Sequence, residues 1–203
     1  MSALDDFIRE GRLLRHSWGR TAEDGRVFAC LLSAVAPECA KHKSEAYCPA
    51  EVMPLWLAYF TTWLNDAGLL EHWEAHVRRY AKLLPSLPAL TPRADWKIRR
   101  ACVQDSLKYR SAQGPAAAVC RSTIAFLDRA IETGSWNKIG AALVLDAAEK
   151  AGVRVGVTAM STGPWAAALT ARSAELDQSL LGRPNVDSLI AQALTILEQE
   201  IAA

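Results

Sequence analysis

The chain has 203 residues, 51% of them hydrophobic, and a formal net charge of +1. That is enough apolar material for one sizeable core or two small lobes sharing an interface, so a soluble globular protein is the expectation. The richest apolar run, Val52 to Phe60, is too short to cross a bilayer, and Met1-Ser2-Ala3-Leu4-Asp5-Asp6 has neither the basic nor the apolar segment of an export signal.

Five cysteines, at positions 30, 39, 48, 102 and 120, make an odd count without the density of a disulfide-stapled secreted domain. Free thiols in a reducing cytoplasm are expected. The charge is unevenly spread: residues 1–75 carry −4, residues 76–110 carry +7 and residues 111–203 carry −2. Either these regions neutralise one another on folding, or the middle segment meets an anionic partner.

Thr21 with Asp24 three residues on has the form of a capping box, and the apolar run from Val27 to Leu32 follows, which predicts a helix over about 22–35. A second helix is predicted from about Glu51 to Asp66, with Pro54 tolerated in its first turn. Its aromatic face of Val52, Trp56, Tyr59, Phe60 and Trp63 leaves only Glu51, Thr62, Asn65 and Asp66 polar, so it is read as mostly buried. Leu70, Trp73, Val77, Tyr80 and Leu84, spaced by three and four, form an interhelical seam that ends at Pro85-Ser86-Leu87-Pro88.

Thr91-Pro92 restarts a helix over about 92–110, with Trp96, Val103 and Leu107 inward and Arg93, Lys97, Arg100, Lys108 and Arg110 largely outward. After Gly114-Pro115 the composition shifts: residues 111–203 hold 21 alanines. Segments 116–133, 138–151, 164–181 and 186–202 read as helices, separated by Gly134, Gly152, Gly163-Pro164 and Gly182-Arg183-Pro184. Val153 to Val157 is the one β-like stretch, taken as an extended linker. The expected fold is therefore all-α, a bundle of about eight helices. An aromatic-rich half (1–112) packs as one unit with an Ala-rich half (113–203).

Ala29-Cys30-Leu31-Leu32-Ser33-Ala34, Cys48-Pro49-Ala50-Glu51-Val52-Met53-Pro54-Leu55-Trp56-Leu57-Ala58 and Val77-Arg78-Arg79-Tyr80-Ala81, followed by an alanine-rich helical tail, resemble a set of helical proteins carried by phages and prophages. That set has no assigned catalytic residues. The resemblance implies a mobile-element accessory protein.

Several groupings bear on chemistry. Cys30, Cys39, His42 and Cys48 supply enough ligands for a tetrahedral zinc, but at irregular spacing and with Cys30 in an apolar run, so unliganded thiols are expected. His72 and His76 are one helical turn apart, yet the glutamate is not next to the first histidine as a zinc-protease motif requires. They stand as candidates for a metal-dependent enzyme, against ordinary interhelical hydrogen bonding. The paired acids Glu71/Glu74, Asp5/Asp6 and Glu198/Glu200 fall near helix ends or on solvent faces.

No phosphate loop or nucleophile elbow is completed, and no cofactor is expected. The strongest functional candidate is the basic cluster of Arg78, Arg79, Lys82, Arg93, Lys97, Arg99, Arg100, Lys108 and Arg110. It points to a protein partner with an acidic surface, or to nucleic acid. A near-neutral whole chain favours the protein. The expected function is thus a non-enzymatic binding protein, with nucleic-acid binding and His72/His76 metal chemistry as alternatives.

Overall fold

The computed structural model describes residues 3–110, 113–180 and 185–203. Among them the chain forms α1 (Ala3–Arg9), β1 (Gly19–Thr21), β2 (Val27–Ala29), α2 (Leu31–Val35), α3 (Pro37–His42), α4 (Leu55–Asp66), α5 (Leu70–Ala81), α6 (Pro92–Leu107), α7 (Pro115–Thr133), α8 (Lys138–Lys150), α9 (Arg154–Ala159), α10 (Ala166–Leu180) and α11 (Val186–Ala202). Short 3-10 turns occupy Glu45–Tyr47 and Leu84–Ala89. The all-α class holds, with eleven α-helices rather than about eight.

The excess comes from short pieces. The helix expected over 22–35 is instead a hairpin followed by a five-residue helix. Strands β1 and β2 pair antiparallel in the register Gly19↔Ala29, Arg20↔Phe28, Thr21↔Val27. Asp24-Gly25 makes the turn: Gly25 takes a φ of 83° that a side chain resists. The Asp24 carboxylate accepts from the Arg26 N–H at 3.0 Å and from its Nε at 2.6 Å. Asp24 is therefore a turn residue, not the acid of a capping box. Helix α2 is opened by Cys30, whose Sγ accepts from the Ser33 N–H at 3.4 Å.

Helix α4 begins at Leu55, with Pro54 extended ahead of it rather than inside its first turn. The stretch expected to be an extended linker is helix α9. Val155, Gly156 and Ala159 are buried where α9 packs on α8, α7, α10 and α6, and that packing outweighs the β-propensity of the valines.

Helix α6 is the hub, in contact with α7, α9, α10 and α11. One apolar core runs from Leu4 through Leu57, Phe60, Tyr80 and Ile98 to Leu127, Ile190 and Leu197, crossing from the aromatic-rich half into the alanine-rich half. The expected half boundary at residue 112 and the breaker Gly182-Arg183-Pro184 lie outside the described residues. No helix among the described residues is long and apolar enough to cross a membrane.

Polar anchors fix the helix ends. Arg15 donates to the carbonyls of Asp66, Ala67 and Gly68 at 2.5, 3.1 and 3.0 Å, closing the C-terminus of α4 with a cation. Asn65, read from sequence as part of the narrow polar strip of this helix, is buried: its Oδ1 accepts from the Leu31 N–H and its Nδ2 donates to the Leu14 carbonyl, both at 3.0 Å. These bonds hold the N-terminal loop against α4.

Candidate functional site

The basic segment folds into ion pairs within the chain. Arg79 on α5 grips Glu198 on α11 through Nε and Nη2, each at 2.5 Å, and donates to Thr195 Oγ1 and the Ala191 carbonyl. Lys97 and Arg100 on α6 pair with Glu200 on α11 and Asp128 on α7. Arg110, just beyond α6, pairs with Asp177 on α10. Arg78 and Lys108 pair locally with Glu74 and Asp105.

Arg99 is inside the protein, 5% exposed. Its guanidinium is held by Asp95, by the Ala159 and Ser161 carbonyls at 3.3 and 2.7 Å, and by the Trp136 ring 5.5 Å away. Burial pushes the Asp95 carboxyl up, and Arg99 opposes that shift. Of the nine expected patch residues, Lys82 and Arg93 are left without an ion pair among the described residues, Lys82 acting on Glu198 only through space. Trp96 leans on Trp136 with ring centroids 5.8 Å apart, packed against the core.

The cysteine and histidine groupings disperse. Cys30 caps α2, while Cys48, beside Cys39, donates its thiol to the Pro49 carbonyl. Burial, with Cys48 alongside, pushes the Cys39 thiol up to about 12, which disfavours the thiolate that metals and electrophiles require. His42 stacks on Tyr47 at 3.8 Å. His72 is exposed beside Glu71, whereas His76 turns inward to Asp187 of α11 at 3.3 Å. Asp187 also accepts from the Leu69 N–H. No group of three or more metal-binding side chains converges among the described residues.

A groove of about 540 Å³ lies open between α4 and α10. Helix α4 buries Trp56, Leu57, Phe60 and Leu64 and turns Tyr59, Thr62, Trp63 and Asp66 to the groove. Tyr59 and Trp63, expected on the buried aromatic face, are therefore part of its wall. Helix α10 supplies the other wall with Ala168, Leu169, Arg172, Glu175 and Leu176, Trp165 just ahead of its first turn joins them, and His16 and Glu45 complete the lining.

Helix α10 inverts the usual pattern. Its buried face is Ala166, Ala167, Thr170, Ala171, Ser173 and Ala174, small enough to lie close to α4, α6 and α9. Its large residues consequently face outward: Leu169 and Leu176 are each 40% exposed, and Trp165 immediately before the helix is 46% exposed. Clustered exposed apolar side chains of this size mark a surface that binds something.

The rings are held in place. Trp63 packs on the buried Phe60 with centroids 5.1 Å apart, and its Nε1 donates to Glu175 Oε2 at 3.3 Å. Tyr59 and Trp165 stand at 78° to one another with centroids 6.3 Å apart, forming a corner. Trp165 folds back over Gly163, where a Cβ would collide with the indole, so only glycine permits this ring position. Asp66 Oδ1 accepts from the His16 N–H at 2.7 Å, and His16 adopts a φ of 56°, unusual for a non-glycine residue. A hollow of about 290 Å³ extends the groove past His16, Thr62 and Asp66 toward Trp18. Comparison with protein-family models, with characterised proteins and with solved structures finds no match for the chain.

Proposed function

We propose that this is a non-enzymatic binding protein that takes a protein partner in the α4/α10 groove. The observation that carries the reading is the open, aromatic-lined hollow of about 540 Å³ with Trp165, Leu169 and Leu176 exposed along one wall. A helix or loop laid between two helices is a recurrent way to recognise a peptide segment, and tryptophan and tyrosine supply large contact area at low entropic cost. Asp66 and Glu175 are hydrogen-bonded into the scaffold, which suits them to positioning a partner rather than moving protons. The resemblance to phage and prophage proteins supports a mobile-element accessory acting in the cytoplasm by occupying a partner's surface.

The basic segment gives less support to nucleic-acid binding, because seven of its cations already answer carboxylates of the chain. His72 and His76 give less support to metal chemistry, since each faces a different carboxylate. A photo-crosslinking benzoylphenylalanine in place of Leu169 or Leu176 tests the groove reading in cell extract. The expected outcome is discrete adducts that protease removes and nuclease does not, absent when the probe replaces the exposed Ala125 on α7. Nuclease-sensitive adducts, or equal labelling from Ala125, would overturn it.

A further inference from the structure

We infer that the groove grips its partner through a basic side chain, an arginine or lysine inserted into the corner made by Tyr59, Trp63 and Trp165. This rests on the groove being the binding site. Two observations carry it.

The first is ring geometry. A cation is attracted to the negative face of an aromatic ring, most strongly to tryptophan, and rings set near right angles can turn two such faces to one space. Tyr59 and Trp165, at 78°, form such a corner, and Trp63 stands beside them in the same lining. Trp63 is backed by Phe60 and Trp165 by Gly163, so neither ring has to be ordered by the ligand.

The second is charge. The lining holds three carboxylates, Glu45, Asp66 and Glu175, against the single guanidinium of Arg172 and the imidazole of His16. The groove is thus acidic although the chain as a whole is near neutral. Glu45 sits on the short turn that packs on α4, half-buried; its carbonyl accepts from the Cys48 N–H, but its carboxylate makes no hydrogen bond or ion pair among the described residues. A partner guanidinium or ammonium would answer it while its aliphatic stem lies along Leu169 and Leu176.

The test titrates the ¹⁵N-labelled full chain with N-acetyl-arginine amide, N-acetyl-lysine amide, N-acetyl-leucine amide, N-acetyl-glutamate amide and tetramethylammonium at constant ionic strength, reading the indole N–H signals. The expected result is saturable movement of the Trp63 and Trp165 signals by the arginine and lysine amides, but not by the leucine or glutamate amides. Trp165→Leu, which keeps the apolar bulk and loses the ring face, is expected to weaken that binding about two- to fivefold. Glu45→Gln is expected to weaken it by a similar factor, about two- to fivefold, and added salt to erode it further.

Stronger movement by the leucine or glutamate amide would overturn the basic-side-chain inference and leave the groove reading standing. Tetramethylammonium binding tenfold tighter than the arginine amide would also overturn it, in favour of a free quaternary ammonium ligand. If no probe moves these signals the inference fails, and the crosslinking from Leu169 and Leu176 then decides the groove reading separately.

Discussion

The segment 76–110 and the α4/α10 groove invert what their sequences advertise. The segment carries a net +7, yet Arg79, Lys97, Arg100 and Arg110 each reach a carboxylate on another helix and Arg99 is buried. The groove draws on unremarkable residues of two separate helices and remains open. Charge counted along a chain measures what a segment brings to folding. What it offers a partner is the remainder after its own acids have been answered, and here Glu198, Glu200, Asp128 and Asp177 all lie beyond residue 110 in the acidic C-terminal half.

The core face of α4 and the opposite wall of the groove should separate stability from binding by the largest margin. Trp56 is 8% exposed against the core, so Trp56→Ala is expected to cost about 3–5 kcal/mol in urea unfolding. Trp165→Ala, on the opposite wall of the groove and nearly half exposed, is expected to cost less than about 1 kcal/mol while abolishing crosslinking from the groove. Equal losses of stability would mean that Trp165 is core and that the groove is closed in solution.

An effect of comparable size is expected inside the basic segment. Asp95→Leu leaves the Arg99 guanidinium buried with only carbonyls and the Trp136 ring around it, which is expected to cost about 3–5 kcal/mol. Adding Arg99→Met removes the orphaned charge and should restore a large part of that loss. A single variant as stable as the parent would show that Arg99 escapes to solvent and belongs to the surface cluster after all.

These residues show where sequence reasoning reached and where it stopped. Helices α5, α6, α7, α8 and α11 were legible because caps, proline starts and glycine stops act within one turn of chain. The seam on α5 was legible in part: Val77 and Tyr80 are buried, but Leu70 at its start is 72% exposed. The hairpin was missed because Thr21-Ala22-Glu23-Asp24 satisfies a capping pattern and Asp24-Gly25 a turn pattern at once. Local signals cannot arbitrate between them; the antiparallel pairing of β1 with β2 does.

The groove had a readable signal that went unused. On a helix rich in alanine the small face is the one that packs closely, so Leu169 and Leu176 had to point away from it, as Trp165 does just before the first turn. Which element they would face depends on α4 lying alongside α10, more than a hundred residues apart in sequence, and no spacing encodes that.

A smaller effect distinguishes stitched from buried charge. Arg79 and Glu198 are about one-third exposed, so their coupling in a double-mutant cycle with Arg79→Ala and Glu198→Gln is expected to be about 0.2–1 kcal/mol near neutral pH. The Arg79 hydrogen bond holds the Glu198 carboxyl below its ordinary 4.5. A depressed folded-state value means the stabilisation is complete above 4.5 and is lost as the pH falls through the folded-state value. The coupling should therefore shrink in acid, and a coupling that is unchanged below 4.5 would show that the pair is held by packing of the arginine stem instead.

The smallest effect is expected where the basic segment is least committed. Lys82 and Arg93 are exposed and make no ion pair among the described residues, so the double variant Lys82→Glu with Arg93→Glu should change stability by no more than about 0.5 kcal/mol. Lys82 lies close enough to Glu198 to help lower its carboxyl, so any loss should come from that residue and should disappear when Glu198→Gln is added. Functionally, the double variant reverses the charge of the uncommitted part of the segment while sparing every interhelical pair. Crosslinking from Leu169 and Leu176 should be retained in full, since neither Lys82 nor Arg93 lines the groove. If that crosslinking were lost with the fold intact, the partner would have to extend from the groove across α5 and α6, and the segment's remaining charge would belong to the interface rather than to the scaffold.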